Sequence, residues 1–315
     1  MRLIPGLANA KTIGLLCIAT FLAGCGNIET TTHNQSLKPP HYARSACIID
    51  HSCTNLDTIP EEWIHKAKKN LHIAYGHTSH GSQIITGMTG LITFKGDIYL
   101  FNNGGKNGAL DLRDTPFSKA HDLGNPNRQA WADATRRYLD YHEDINVVMW
   151  SWCGQVSNAT ETDINSYLKL MESLENDYPE IQFVYMTGHL DGTGITGNLH
   201  IKNEQIRKFC RDNNKVLYDF ADIETYDPDG TYFGEKHPTD ACNYDYNEDG
   251  TTSQSDDLGY PMNGDRNWAL DWQNSHTLGV DWFKCQSAHS QPLNANQKAY
   301  AAWWLWARLS GWSGE

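Results

Sequence analysis

Five apolar runs of strand length punctuate the chain between residues 70 and 220: Leu71–Tyr75, Asp97–Phe101, Ile145–Trp150, Gln182–Met186 and Lys215–Asp219. Around and between them, Pro60–Asn70, Asn127–His142, Thr162–Asp177 and Leu199–Asn213 place apolar residues near a 3.6-residue period, which predicts helices. The amphipathic pattern is clearest from Asp163 to Leu174. Strands alternating with helices of this size predict an α/β domain, three layers deep, with a five-stranded parallel sheet covered on both faces. Ligands of such sheets gather beyond the carboxyl ends of the strands, which is where chemistry is sought.

After Asp219 the periodicity stops. Residues from about 220 to 285 are dense in Asp, Asn, Gly and Tyr and read as an acidic, loop-rich insertion. Asn294–Leu309 then reads as a last helix, apolar on nearly every side and so expected to pack inside the domain.

The first 24 residues change the picture of where the domain resides. Arg2 and Lys11 precede an apolar run from Thr12 to Leu22, and Leu22-Ala23-Gly24-Cys25 follows. A basic end, a short apolar core and small residues at the cut make a secretory signal. The run falls short of the roughly 20 residues that span a bilayer. The cysteine after Ala-Gly resembles the bacterial lipobox, which implies lipidation of Cys25, palmitate among the acyl chains, and anchoring in the cell envelope. Gly26 and Asn27 supply no Asp-type retention signal, which puts the outer membrane ahead of the inner one. Residues 25–46, rich in Thr, Asn, Ser and Pro, read as a flexible tether, and 47–315 as one domain. Loss of Arg2 and Lys11 with the signal takes the formal charge from −13 to −15, which disfavours nucleic acid as a partner. Of eight cysteines, Cys17 and Cys25 belong to the signal and anchor. In an exported chain the remaining six favour disulfides. Cys47 with Cys53 and Cys242 with Cys285 are the expected pairs; Cys153 and Cys210 fit buried thiols or a bridge equally.

Beyond the first strand candidate lies Gly76-His77-Thr78-Ser79-His80-Gly81-Ser82, followed by apolar Ile84 and Ile85. A turn of small residues between strand and helix can point a hydroxyl into a cleft, with helix N–H groups behind it for an oxyanion. This block resembles the variants of the SGNH (GDSL-like) hydrolase superfamily whose first motif reads Gly-His-x-Ser-x-Gly. The resemblance covers roughly 70–220 and 285–310, implies a flavodoxin-like sheet order and no organic cofactor, and puts the nucleophile on Ser79. Ser82 is the weaker candidate, since it should lie inside the helix. The family's second motif is a glycine in the loop after strand two, here Asn102 to Gly108, and the resemblance assigns Gly108 to the oxyanion. The third, normally Gly-x-Asn-Asp, is replaced by Ser151-Trp152-Cys153-Gly154-Gln155, leaving Gln155 to donate in the asparagine's place. The late Asp-x-x-His motif matches Gln286-Ser287-Ala288-His289, so His289 is the base. Its aspartate is missing: either another acid such as Asp281 orients the imidazole, or a Ser–His dyad operates. His237, in Glu235-Lys236-His237-Pro238, is the rival base but has no helix after it.

Two metal readings accompany this. Asp245, Asn247, Asp249, Thr251, Ser253 and Asp256, with Gly250 at the sixth position, resemble a dockerin-like calcium loop and imply a structural Ca2+. Alternatively His77, His80 and His189, all expected at one sheet edge, could bind zinc and activate water. In the serine reading, His77 and His189 contact substrate instead. The favoured function is an extracytoplasmic ester hydrolase whose substrate is an ester-bearing small molecule or an O-acetylated glycan. Trp150, Trp152, Trp268, Trp272 and Trp282 are candidate sugar platforms, though tryptophans more often fill cores. The non-enzyme alternative is a calcium-binding surface lipoprotein.

Overall fold

The computed structural model describes residues 45–255 and 259–315. The signal segment, Cys25, nearly all of the tether, and Asp256 of the calcium loop lie outside the described residues.

The core is a seven-stranded, all-parallel sheet built from β1 (Cys47–Ile49), β2 (His72–Gly76), β3 (Phe101–Asn102), β4 (Leu110–Asp114), β5 (Val147–Trp150), β6 (Gln182–Met186) and β7 (Val216–Tyr218). The spatial order is β1-β7-β6-β5-β2-β4-β3. The chain runs outward from β2 in one direction to β4 and in the other through β5, β6 and β7. The order therefore reverses between β2 and β5, the point where open α/β sheets leave a crevice at the carboxyl ends.

Period-two alternation explains the three layers. Ile73 and Tyr75 of β2 face α1 (Glu61–Asn70), α2 (Ser82–Lys95) and α8 (Pro292–Leu309), while Ala74 faces α3 (Ala130–Leu139), α4 (Glu161–Asp177) and α5 (Asn198–Asp212). Local chemistry sets the helix starts. At α4 the Thr160 hydroxyl accepts from Asp163 N at 3.1 Å and the Asp163 carboxylate accepts from Thr160 N at 2.8 Å, a reciprocal cap. Pro292 opens α8, where a missing N–H removes no helical bond. Helices α2 and α8 lie so close that a Cβ on Gly87 would overlap the Ala295 carbonyl. No described helix is long and apolar enough to cross a membrane.

Two strands exceed the five expected, and a third is shorter than expected. β1 is only three residues long. β4 reads Leu-Asp-Leu-Arg-Asp, and its charged half hides it. Asp111 and Arg113 are buried because they pair: Asp111 accepts from Arg113 Nη2 at 3.0 Å, from Gly104 N at 2.7 Å, and meets His72 Nδ1 at 2.9 Å. The expected strand Asp97–Phe101 is instead a 3-10 turn, Asp97–Tyr99, leading into β3. Lys68 Nζ donates to the carbonyls of Asp97 and Ile98, which holds the turn out of the sheet.

The Asp111 cluster has a consequence for acid stability. Burial pushes its carboxyl up, but the bonds from Arg113, His72 and Gly104 outweigh this and hold it below its usual 3.8. Below that value the unfolded chain binds the proton more readily. The contribution is present above about pH 3.8 and fades as pH falls through the folded value. In denaturant titrations, Asp111→Asn is expected to lose less stability than wild type between pH 5 and pH 3; equal losses would remove Asp111 as the cause.

The insertion is more ordered than its composition suggests. It carries α6 (Phe220–Ile223), an antiparallel pair β8 (Asn243–Tyr244) and β9 (Arg266–Asn267), and α7 (Trp268–Ser275). Phe233, Tyr244, Trp268, Trp272 and Trp282 form its own core. Trp150 and Trp152 are likewise 2% and 3% exposed, so none of the five candidate tryptophans offers a face to a sugar. The expected disulfides are also not present: Cys47, Cys53, Cys153, Cys210, Cys242 and Cys285 are free thiols. Cys242 Sγ contacts Ser290 Oγ at 3.2 Å, and Cys285 Sγ contacts the Pro292 carbonyl at 3.7 Å.

Candidate active site

Ser79 leaves β2 in a single 3-10 turn, Ser79–Gly81, directly before α2. The two glycines of its block have steric reasons. A Cβ on Gly76 would overlap the Trp150 ring, and one on Gly81 would overlap Ser151 Oγ. The turn is thus pressed onto the end of β5. Ser79 itself sits at φ +22°, a backbone conformation that L-residues avoid and that a packed surround must impose. Ser82 is the first residue of α2 and spends its hydroxyl on the Ser79 carbonyl at 2.6 Å.

His289 comes from the loop before α8 and holds φ +62°. Its Nε2 is hydrogen-bonded to Ser79 Oγ, a contact between residues 210 apart in sequence. The loop is tied to α2, since Gln83 Nε2 donates to the Ala288 carbonyl at 2.5 Å. Among the described residues no carboxylate is hydrogen-bonded to His289. Asp281, the suggested orienting acid, instead accepts from Thr277 N at 2.8 Å. The rival His237 packs its ring against Gly194, and the partner of Ser79 Oγ is His289.

The remaining residues sort by sheet end. Gly108 precedes β4, on the side where His72 pairs with Asp111; β2 runs four residues from there before the turn that bears Ser79. At about 3.3 Å per residue that separates Gly108 from the hydroxyl by most of the sheet's height, so Gly108 does not serve an oxyanion. Gln155 is on the correct side, but its Nε2 donates to Asp122 Oδ1 at 3.0 Å and its Oε1 accepts from Cys153 N at 2.9 Å. Asp122 also accepts from Thr78 Oγ1 at 2.7 Å and from Gly124 N at 2.8 Å. Gln155 therefore braces the turn bearing Ser79 through Asp122. His77 turns away to Asp114 Oδ1 at 2.7 Å and lines a separate small cavity with Thr115, Phe117 and Trp150.

His80 and His189, by contrast, meet. Their rings stack at 3.5 Å with 8° between planes, and His289 stacks on His80 at 4.6 Å. His80 Nε2 bonds Asp240 Oδ2 at 2.8 Å, and its Nδ1 lies 3.6 Å from Cys153 Sγ. Burial pushes the His80 imidazolium down against the pull of Asp240. Burial would raise the Asp240 carboxyl, but the bond from His80 and the nearby His189 outweigh it and hold it below its usual range. Asp240 went unrecognised in the sequence because it sits in an aperiodic loop, Thr239-Asp240-Ala241, with no motif around it.

Beneath these loops lies a buried ion pair. Lys298 of α8 and Glu224 are both fully buried and 2.6 Å apart, and Lys298 Nζ also donates to Gln83 Oε1. Glu224 accepts from Leu190 N, next to His189. In the insertion, Asp245 accepts from Gly250 N at 2.8 Å, Asp249 accepts from Thr251 Oγ1 at 2.6 Å, and Asn247 Oδ1 accepts from Asp249 N at 3.0 Å. Ser253 Oγ donates to the Met262 carbonyl at 2.6 Å. Four of the six expected calcium ligands are thus tied within one turn, while the Ser253 hydroxyl is directed to Met262.

The fold and site together describe an α/β protein of flavodoxin-like sheet order with a serine–histidine pair at the point where that order reverses. No protein-family model matches the chain, and no curated protein matches it either.

Proposed function

We propose that the protein is a serine ester hydrolase of SGNH type, working outside the cytoplasm from a lipid anchor on Cys25. The observation that carries the proposal is the hydrogen bond between Ser79 Oγ and His289 Nε2, made by two residues from opposite ends of the domain, each in a strained backbone conformation. His289 takes the serine proton as the hydroxyl adds to the acyl carbon, then returns it to the leaving alcohol; water reverses the sequence. The N-terminus of α2 stands behind the hydroxyl to receive the oxyanion.

The substrate class is an ester on a hydroxyl-rich molecule such as an O-acetylated glycan. A cavity of about 290 Å³ adjoins the His189 loop, sharing Leu190 and Asp191 with it, and is lined by Asp50, Arg207, Tyr226 and Tyr232. Carboxylates, a guanidinium and tyrosine faces suit hydroxyl groups and sugar rings. A calcium ion in the 245–256 loop would serve to fix the insertion. Ca2+ added to the chelator-stripped protein is then expected to raise the melting temperature by several degrees without altering serine reactivity; an unchanged melt on adding Ca2+ would dispose of that ion.

A fluorophosphonate reagent tests the enzyme reading. Stoichiometric labelling of Ser79 in wild type, lost in His289→Ala, is the expected result. Absence of labelling, or labelling elsewhere, would leave a surface binding protein as the better account.

A further inference from the structure

The histidine stack behind the serine has a feature that serine chemistry does not use. His189 is 9% exposed, and its Nδ1 bonds the Leu190 carbonyl at 2.7 Å. A carbonyl only accepts, so Nδ1 carries the proton and Nε2 of the neutral ring holds a lone pair. That Nε2 is buried and has no hydrogen-bond partner. Leaving a buried lone pair without a partner is costly, which calls for a ligand. The atom shares its surroundings with the donor atoms of His80 and Asp240; one atom from each of the three lies within 4.8 Å of the others.

We infer that His80, His189 and Asp240 bind one divalent transition-metal ion of the zinc class beside the Ser79–His289 pair. The chemistry of the donors fits. Two imidazoles and a carboxylate are borderline donors that suit zinc better than calcium or magnesium, and three protein ligands leave a position open. Bonds of about 2.0–2.2 Å to one ion require the stacked His80 and His189 rings to tilt apart so that both lone pairs aim at it. The outer contacts are those that ligating histidines need. His189 has its backbone carbonyl, His80 has the Cys153 sulfur on its far nitrogen, and Leu190 N is anchored by Glu224. The third histidine of the sequence-based zinc reading, His77, has no part in the site, since Asp114 holds it. Asp240 replaces it. The ion would bring positive charge one stacked ring away from His289. Metal binding itself does not depend on Ser79 acting as a nucleophile.

The test uses the full chain freed of any affinity tag and stripped with chelator. It is titrated with Zn2+ by calorimetry in buffer holding excess Ca2+, which saturates oxygen sites. One equivalent of Zn2+ is expected to bind, and Ser79→Ala should retain it in full. His189→Gln and Asp240→Asn are expected to weaken it by at least about a hundredfold. Co2+ added to wild type should give the visible absorption of a low-coordinate site, a readout that needs no variant to fold. Failure to bind one equivalent, a Co2+ spectrum of the hexa-aquo type, or affinity unchanged in a folded His189→Gln would each overturn the site. The fluorophosphonate result stands apart, so loss of the metal proposal and loss of the hydrolase reading are told apart.

Discussion

Replacing Ser79 by alanine is expected to lower kcat for acetate release from an acetylated glycoside by at least about a hundredfold, with KM little changed. The magnitude follows from the missing acid. A full triad loses on the order of 10⁶ in kcat when its serine is removed and roughly 10⁴ when only its acid is removed. A dyad therefore retains about a hundredfold over the enzyme without its serine. His289→Ala should fall as far as Ser79→Ala, and the double variant no further, because two groups that act in one proton transfer fail as a unit. An unactivated acetyl ester is the appropriate substrate, since the chain's 14 histidines would cleave an activated one without any site. Additive losses in the double variant, or turnover that survives Ser79→Ala, would show that the pair does not act together.

Ser79 and His289 were legible in the sequence as a candidate pair because each sits in a local pattern. Ser79 lies between two glycines at a strand-to-helix turn, and His289 lies just ahead of a helix that opens with proline. The amphipathic helices were legible for the same reason: Asp163 to Leu174 repeats at 3.6 residues regardless of what it packs against. What escaped was set by long-range partners. β4 looks too polar for a central position until Asp111 is seen with Arg113 and His72. Gly108 looks suitable until register puts it at the wrong end of the sheet. Gln155 has the right chemistry and the right side, yet Asp122, some thirty residues away, occupies its amide. Asp240 joins His80 across 160 residues with no local signal at all.

The insertion shows the same division from the other direction. Its resemblance to a calcium loop was readable because six oxygen-bearing side chains fall in one short run, whereas its small aromatic core was not. Trp268, Trp272 and Trp282 come together with Phe233 and Tyr244 from separate loops. Tryptophans that looked available for sugar are what allows an acidic, aperiodic segment to hold a fixed position and present Asp240 to His80.

Lys298 is expected to be the most sensitive position outside the chemistry. Its ammonium is completely buried, lies 3.6 Å from the centre of the Phe220 ring, and bonds Glu224 and Gln83. Burial pushes its pKa below the usual 10.5, against the pull of Glu224. Removing one member of such a pair leaves the other charge uncompensated and costs roughly 3–5 kcal/mol, whereas removing both costs far less. At about 2–4 °C per kcal/mol for a domain of this size, Lys298→Met should lower the melting temperature by on the order of 10 °C. Lys298→Met with Glu224→Gln should recover a substantial part of it. The pair also reaches the site by two routes: through Gln83 to Ala288, beside His289, and through Glu224 to Leu190, beside His189. The double variant should therefore regain stability without regaining kcat, because an amide in place of the Glu224 carboxylate has one acceptor oxygen where the carboxylate used one for Leu190 N and the other for Asn294 Nδ2 of α8. Recovery of stability and kcat together would make the pair a purely structural element; recovery of neither would mean that its two charges do not compensate one another.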